Sequence, residues 1–177
     1  VHNVMIYQSM SGDAESGTST FTMKGGTLTG RNGDQIYVTN THSVITLEDV
    51  TITNQDSSGR LLAILGNDVT RGWGTAGANG GQVDLTTTNQ TLTGAIEVDT
   101  VSTLNFTMGK GTNFTGTINI VKNAEGGTAV DNNAVITVEE GATWTLTGNV
   151  TITSLENKGT INFNGYTITL ADGTVLK

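Results

Sequence analysis

The sequence predicts an all-β protein: a single-stranded right-handed parallel β-helix (β-solenoid) of about six rungs, each with three short strands. Three observations carry that expectation. A Thr-apolar-Thr pattern ending in Gly or Asn recurs along the chain. The composition suits strands and tight turns. Each copy of the pattern also sits between two other strand-like segments, always in the same order.

The copies read Thr27-Leu28-Thr29-Gly30, Thr51-Ile52-Thr53-Asn54, Thr91-Leu92-Thr93-Gly94, Asn113-Phe114-Thr115-Gly116, Thr145-Leu146-Thr147-Gly148 and, imperfectly, Thr167-Ile168-Thr169-Leu170. Their central apolar residues are 24, 40, 22, 32 and 22 apart. A base interval near 22 with two longer ones is the signature of a coiled repeat carrying loop insertions.

The chain has 177 residues, 24 of them Gly, and Thr is about one residue in five. β-Branched Thr, Val and Ile lose rotamer freedom in a helix and pack well on a pleated surface. This length reads as a single domain, 1–177, and as a segment of a longer protein. A formal charge of −8 argues against nucleic acid and anionic membrane surfaces as partners. No apolar run approaches the roughly 20 residues of a membrane span. With no Cys there is neither a disulfide framework nor a thiolate metal site.

Each rung is read as three strands. Phe21-Thr22-Met23, Ile45-Thr46-Leu47, Val83-Asp84-Leu85, Leu104-Asn105-Phe106, Ile136-Thr137-Val138 and Ile161-Asn162-Phe163 exemplify the first. Turns follow at Gly25-Gly26, Glu48-Asp49, Asn89-Gln90, Gly109-Lys110-Gly111, Glu140-Gly141 and Asn164-Gly165, residue types that supply positive φ. The Thr-apolar-Thr copy is the second strand. Ile36-Tyr37-Val38, Leu61 to Leu65, Ile96-Glu97-Val98, Ile118-Asn119-Ile120 and Val150-Thr151-Ile152 exemplify the third. Parallel stacking at about 4.8 Å then forms an inner column of Leu28, Ile52, Leu92, Phe114, Leu146 and Ile168. A β-sandwich is the structural alternative, and the fixed order of three unlike strands fits it less well. Asn3 to Tyr7 reads as a lone third strand. So does Thr174-Val175-Leu176-Lys177, with uncapped ends that would allow end-to-end self-association.

Interruptions of the repeat locate candidate function. Residues 8–18, 66–81 and 122–133 all fall between a third strand and the next first strand, at one edge of the coil. Insertions gathered on one side often build a binding surface, and they are also tolerated where they do nothing. The middle one holds Asn67, Asp68, Arg71 and Trp73. A Trp face stacks on a sugar ring, and Asp, Asn and Arg can hydrogen-bond hydroxyls or a carboxylate. Equally, Trp73 is placed to fold back as a lid over the doubly apolar Leu61 to Leu65.

Asp13 and Glu15, like Glu125 and Asp131, offer hard oxygens suited to Ca²⁺, or simply a solvated acidic edge. Asp34 and Asp56, 22 apart, are placed to stack as neighbours. The outward threonines Thr27, Thr29, Thr51, Thr53, Thr91, Thr93, Thr115, Thr145, Thr147, Thr167 and Thr169 form two ranks. Such ranks resemble the ice-binding faces of solenoid antifreeze proteins, and Thr is also simply a good exposed strand residue.

No catalytic constellation is legible, so the chain is not read as an enzyme. His2 and His42 are expected to face solvent. Glu97 and Asp99 share an outer face with no basic residue expected one rung away, and carboxylate pairs alone are weak evidence for acid–base catalysis.

Asn3-Val4-Met5-Ile6-Tyr7-Gln8-Ser9-Met10-Ser11-Gly12-Asp13-Ala14-Glu15, Arg71-Gly72-Trp73-Gly74-Thr75 and Thr143-Trp144-Thr145-Leu146-Thr147-Gly148 resemble large secreted adhesin-like β-helix proteins of gut clostridia. These are grouped with β-helix carbohydrate-binding domains, and the chain looks like the C-terminal part of one. The resemblance implies the same right-handed fold, secretion or display at a bacterial cell surface, and polysaccharide binding, sometimes with Ca²⁺. It carries over no binding residue. The reading is therefore a non-catalytic extracellular scaffold or adhesin-like module that binds polysaccharide along its loop-rich edge. The alternatives are an ice-binding solenoid and an engineered or trimmed solenoid without ligand.

Overall fold

In the computed structural model, which describes residues 1–8, 17–67 and 74–177, short Thr-, Val- and Ile-rich strands are separated by Gly, Asn and Asp turns. Among the described residues there is no helix, and so none long and apolar enough to cross a membrane. The strands are gathered into three sheets.

The largest sheet runs β1 (His2–Tyr7), β4 (Asp34–Thr39), β7 (Leu62–Ile64), β9 (Thr91–Asp99), β11 (Asn113–Val121), β14 (Val150–Thr151), β17 (Ile168–Thr169) and β18 (Val175–Leu176). Beside this path, β13 (Thr143–Thr145) pairs with β11 and with β16 (Thr160–Asn162). A six-stranded sheet holds β2 (Thr18–Lys24), β5 (His42–Glu48), β8 (Gln82–Thr88), β10 (Thr103–Met108), β12 (Ala134–Val138) and β15 (Ser154–Asn157) in sequence order. A two-stranded sheet pairs β3 (Thr27–Gly30) with β6 (Thr51–Asn54). Among the described residues every pairing is parallel except that of β17 with β18. Each pass of the chain thus lies on the one before it, an arrangement compatible with a β-solenoid.

Period-two alternation turns one set of side chains inward. In the six-stranded sheet Phe21, Ile45, Leu85, Phe106, Ile136 and Leu155 stand in register. In the largest sheet Val4, Ile36, Leu62, Ile96 and Ile118 do so. Most of these are fully buried and belong to one continuous core. The chain reverses at residues that bear positive φ: Gly25 (67°), Asp49 (55°), Asn89 (48°), Gly111 (78°) and Gly141 (81°). These are the expected first-to-second-strand turns.

Three expectations of register are corrected. The fifth Thr-apolar-Thr copy is centred on Trp144, not Leu146, because Phe114 pairs with Trp144. Alternation cannot distinguish the two, since both side chains point inward and are buried. Stacked turns decide it: the Gly111 N–H donates to the Gly141 carbonyl and the Thr143 N–H to that of Thr112. In the last pass, Thr160–Asn162 is a second strand on β13, and Ile168 pairs with Val150 as a third strand. Asn164-Gly165, at φ 51° and 83°, therefore turns the second strand into the third. Finally, Val175–Leu176 folds back antiparallel on β17, with Ile168 opposite Leu176.

The second-strand column is also broken. No ladder joins β6 to β9, although β5 pairs with β8 and β7 with β9 on either side. Fifteen positions separate Leu47 from Leu62, but only nine separate their partners Thr87 and Ile96. The longer path carries β6 outward, so that it lies near β9 without pairing with it.

Candidate functional site

The connections that leave the largest sheet and enter the six-stranded one share an edge. Three are long, joining β1 to β2, β7 to β8 and β11 to β12, as expected. Three are short: residues 40–41, 100–102 and 152–153.

Polar side chains stitch this edge together. Asn40, at φ 50°, donates its N–H to the Asn79 carbonyl (3.0 Å) and its side-chain amide to the Gln8 carbonyl (2.7 Å). Asn79 returns a side-chain bond to Asn40 Oδ1 (3.2 Å). Further along, Asp99 is 2% exposed and its carboxylate accepts three bonds. They come from the Gly66 N–H (2.7 Å), Asn123 Nδ2 (2.6 Å) and the Val101 N–H (3.2 Å). One carboxylate thus ties the second and third long connections to the short turn between them. The Gly77 and Gly127 backbones touch so closely that a side chain on either would strike the other.

Beside Asp99 lies a recess of about 130 Å³, lined by Arg60, Gly66, Asp99, Lys122 and Asn123 with apolar Leu65 and Val121. Arg60 holds one wall. Its Nε and Nη2 grip both oxygens of Asp34 at 2.8 Å, and Nη1 donates to Glu97 Oε2 at 2.6 Å. His2 adds a bond to Asp34 (3.0 Å) and stacks on Tyr37. Burial pushes the Asp34 carboxyl up. The hydrogen bonds and charge of Arg60, with the charge of His2, outweigh burial and hold it below the usual carboxylate range. The Asp34 bond also raises the Arg60 guanidinium above its ordinary value. Lys122 is exposed and forms no ion pair among the described residues.

Of the expected glycan-binding residues, Asn67 lies on this edge, buried and backbone-paired with Ala78. Asp68, Arg71 and Trp73 lie outside the described residues, as do the expected calcium ligands Asp13 and Glu15. Among the described residues no group of three or more His, Asp or Glu could hold a metal ion.

The threonine ranks are shorter than expected. Thr27 and Thr51 pair, as do Thr29 and Thr53. Across the break, Thr91 stands with Asn113 and Thr143, and Thr93 with Thr115 and Thr145. Thr147 lies in a bend, Thr167 bonds Asn149, and Thr169 pairs with Thr151 in the third-strand column, so none of these three joins a rank.

Four further expectations are corrected. Neither histidine simply faces solvent. His2 binds Asp34, and His42 opens β5 and binds Asp84 Oδ2 at 2.7 Å. Hydrogen bonds from Asn105 and then His42 lower the Asp84 carboxyl. Glu97 does have a basic neighbour, Arg60, one strand away. Asp99, expected on the same outer face, is buried in the corner. Asp34 stacks on Arg60 rather than on Asp56, which caps the Gly33 N–H (2.7 Å). Pairing Ile36 with Leu62 would have placed Arg60 over Asp34, but the two are 26 apart, off the apparent 22-residue interval.

Comparison with protein-family models, curated proteins and solved structures gives no match to this chain.

Proposed function

We propose that the chain is a right-handed parallel β-helix of six rungs that serves as a non-catalytic, extracellular scaffold or adhesin-like module of a bacterial surface. It binds acidic polysaccharide along its loop-bearing edge. The recess at Arg60, Asp99, Lys122 and Asn123 carries this reading. Its Arg60 and Asn123 donors are held by hydrogen bonds to Asp34, Glu97 and Asp99, and its exposed cation, Lys122, forms no ion pair among the described residues. Such a site suits a uronate carboxylate at Lys122, with sugar hydroxyls directed to Glu97.

Calorimetric titration with polygalacturonate and with a neutral glucan, with and without Ca²⁺, tests it. Binding of the acidic polymer that is lost in Lys122→Glu is the expected result. No binding of either polymer would leave a scaffold alone.

A second reading, ice binding, draws on the register of Thr93, Thr115 and Thr145, which places three hydroxyls in line at the inter-strand spacing of about 4.8 Å. Thermal hysteresis at millimolar protein would reveal it.

A further inference from the structure

Where β6 and β9 run near each other without pairing, the surface carries a cleft of about 240 Å³, lined by Asp49, Thr51, Ile52, Asn89, Thr91 and Thr93. It lies at the turn from first to second strand, away from the loop-bearing edge, and does not rest on the polysaccharide reading.

The cleft is blind. The fully buried Gln90 closes the space between the two strands at one end. Its Oε1 accepts a bond from the Val50 N–H (3.0 Å). Its Nε2 donates to the Val50 carbonyl (2.7 Å) and to the Thr91 carbonyl (2.8 Å). At the other end Leu61 packs against Gly94. A ligand is therefore met from outside, by side chains that point to solvent, and not between the strands.

The ladder of β5 with β8 sets the head of the cleft. It ends at Glu48 opposite Thr88, so Asp49 and Asn89 follow side by side, both with positive φ (55° and 48°). Thr91 and Thr93 both point outward along β9, about 7 Å apart by the strand rise. Thr51 stands on the β6 wall, where half-buried Ile52 adds an apolar patch. Among the described residues, none of the side chains of Asp49, Thr51, Asn89, Thr91 and Thr93 has a hydrogen-bond or ion-pair partner. At the loop-bearing edge, by contrast, Arg60, Asp99 and Asn123 are bound by neighbouring groups.

These unspent groups set the chemistry of the ligand. Three hydroxyls and a carboxamide suit a compact body that donates and accepts at several points, as a sugar ring does. An unpaired carboxylate with no cation among the lining residues suits positive charge on that body and repels a uronate.

We propose that the cleft binds an amino-sugar unit of a glycan. Its ammonium lies at the Asp49 carboxylate beside Asn89, and its ring hydroxyls meet Thr51 and Thr91. Thr93, one further outward position along β9, meets the next sugar of the chain.

The test titrates the ¹⁵N-labelled chain with the β-1,4-linked disaccharide of glucosamine and, separately, with cellobiose, at about pH 6, where amines of this kind are charged. Saturating shifts centred on the Thr51, Asn89, Thr91 and Thr93 amides are expected, with cellobiose binding at least about fivefold more weakly. Asp49→Asn puts in a residue that tolerates positive φ, so it should fold and bring the amino sugar down to the level of cellobiose. Thr91→Val should weaken both sugars. Lys122→Glu should change neither. If Asp49→Asn fails to fold, the two disaccharides decide alone. No shift at millimolar amino sugar, equal binding of cellobiose, an unchanged response in Asp49→Asn, or shifts centred on Lys122 instead would overturn the proposal.

Discussion

The indole of Trp144 lies over the ring of Phe114, centroids 5.9 Å apart and planes 23° apart, and donates its Nε1–H to the Gly116 carbonyl at 3.1 Å. Phe106 meets Phe114 edge-on at 6.1 Å. All three side chains are buried, so this aromatic column is part of the core. Trp144→Ala removes the stack, opens a cavity and leaves the Gly116 carbonyl without its partner. A loss of about 3–5 kcal/mol is expected, measured as a lowered urea midpoint. Trp144→Phe keeps the ring and should recover most of it.

Among the described residues, Arg60 is the one cation that touches both Asp34 and Glu97. Asp34 is 5% exposed, so Arg60→Met strands a buried carboxylate beside the weaker partner His2. The expected cost is about 3 kcal/mol. Adding Asp34→Asn to Arg60→Met removes the stranded charge and should restore part of the stability. Additive losses in the double variant would show that the pair is not coupled.

Up to Gly141, the strand order, the first-to-second-strand turns and the edge that bears the long connections were legible because each depends on local chemistry; in the last pass the strands were misassigned. Thr, Val and Ile favour strands, Gly, Asn and Asp accept positive φ, and period two sorts inside from outside. What failed was register. Trp144 and Leu146 are both inward, so alternation alone could not choose between them, and the choice rests on how Gly141 stacks on Gly111 one pass away. The Arg60 contacts to Asp34 and Glu97 were hidden for a related reason. Passes of unequal length bring together residues at 26 and 37 positions apart, intervals that no repeat announces. The cleft at Gln90 follows from the same inequality.

Acid should unfold the protein through Asp34, Asp56 and Asp84. Each folded-state value is depressed, that of Asp56 to about 2 by hydrogen bonds from Ser58 and then Gly33. An unfolded Asp titrates near 3.9. Between the two values the unfolded chain binds more protons, so acidification favours unfolding. These contributions are present above the unfolded value and are lost as the pH falls through the depressed folded values, that of Asp56 being about 2. Urea midpoints measured from pH 7 downward should stay level as far as these groups go and then drop. Asp34→Asn should flatten the drop while lowering the plateau. An unchanged slope would remove Asp34 from the account.

Asp99 is the tie that holds two long connections to the turn at Val101. Asp99→Asn keeps the shape but turns one acceptor oxygen into a donor. One of the three N–H groups from Gly66, Val101 and Asn123 then faces another donor in a buried corner. The loss should be about 1–3 kcal/mol. It should also be local, because the six-stranded sheet does not depend on this carboxylate. Hydrogen exchange at the Gly66 and Val101 amides should quicken while that at Ile45 and Phe106 stays slow. Equal acceleration at all four would show that the carboxylate supports the whole stack rather than its edge.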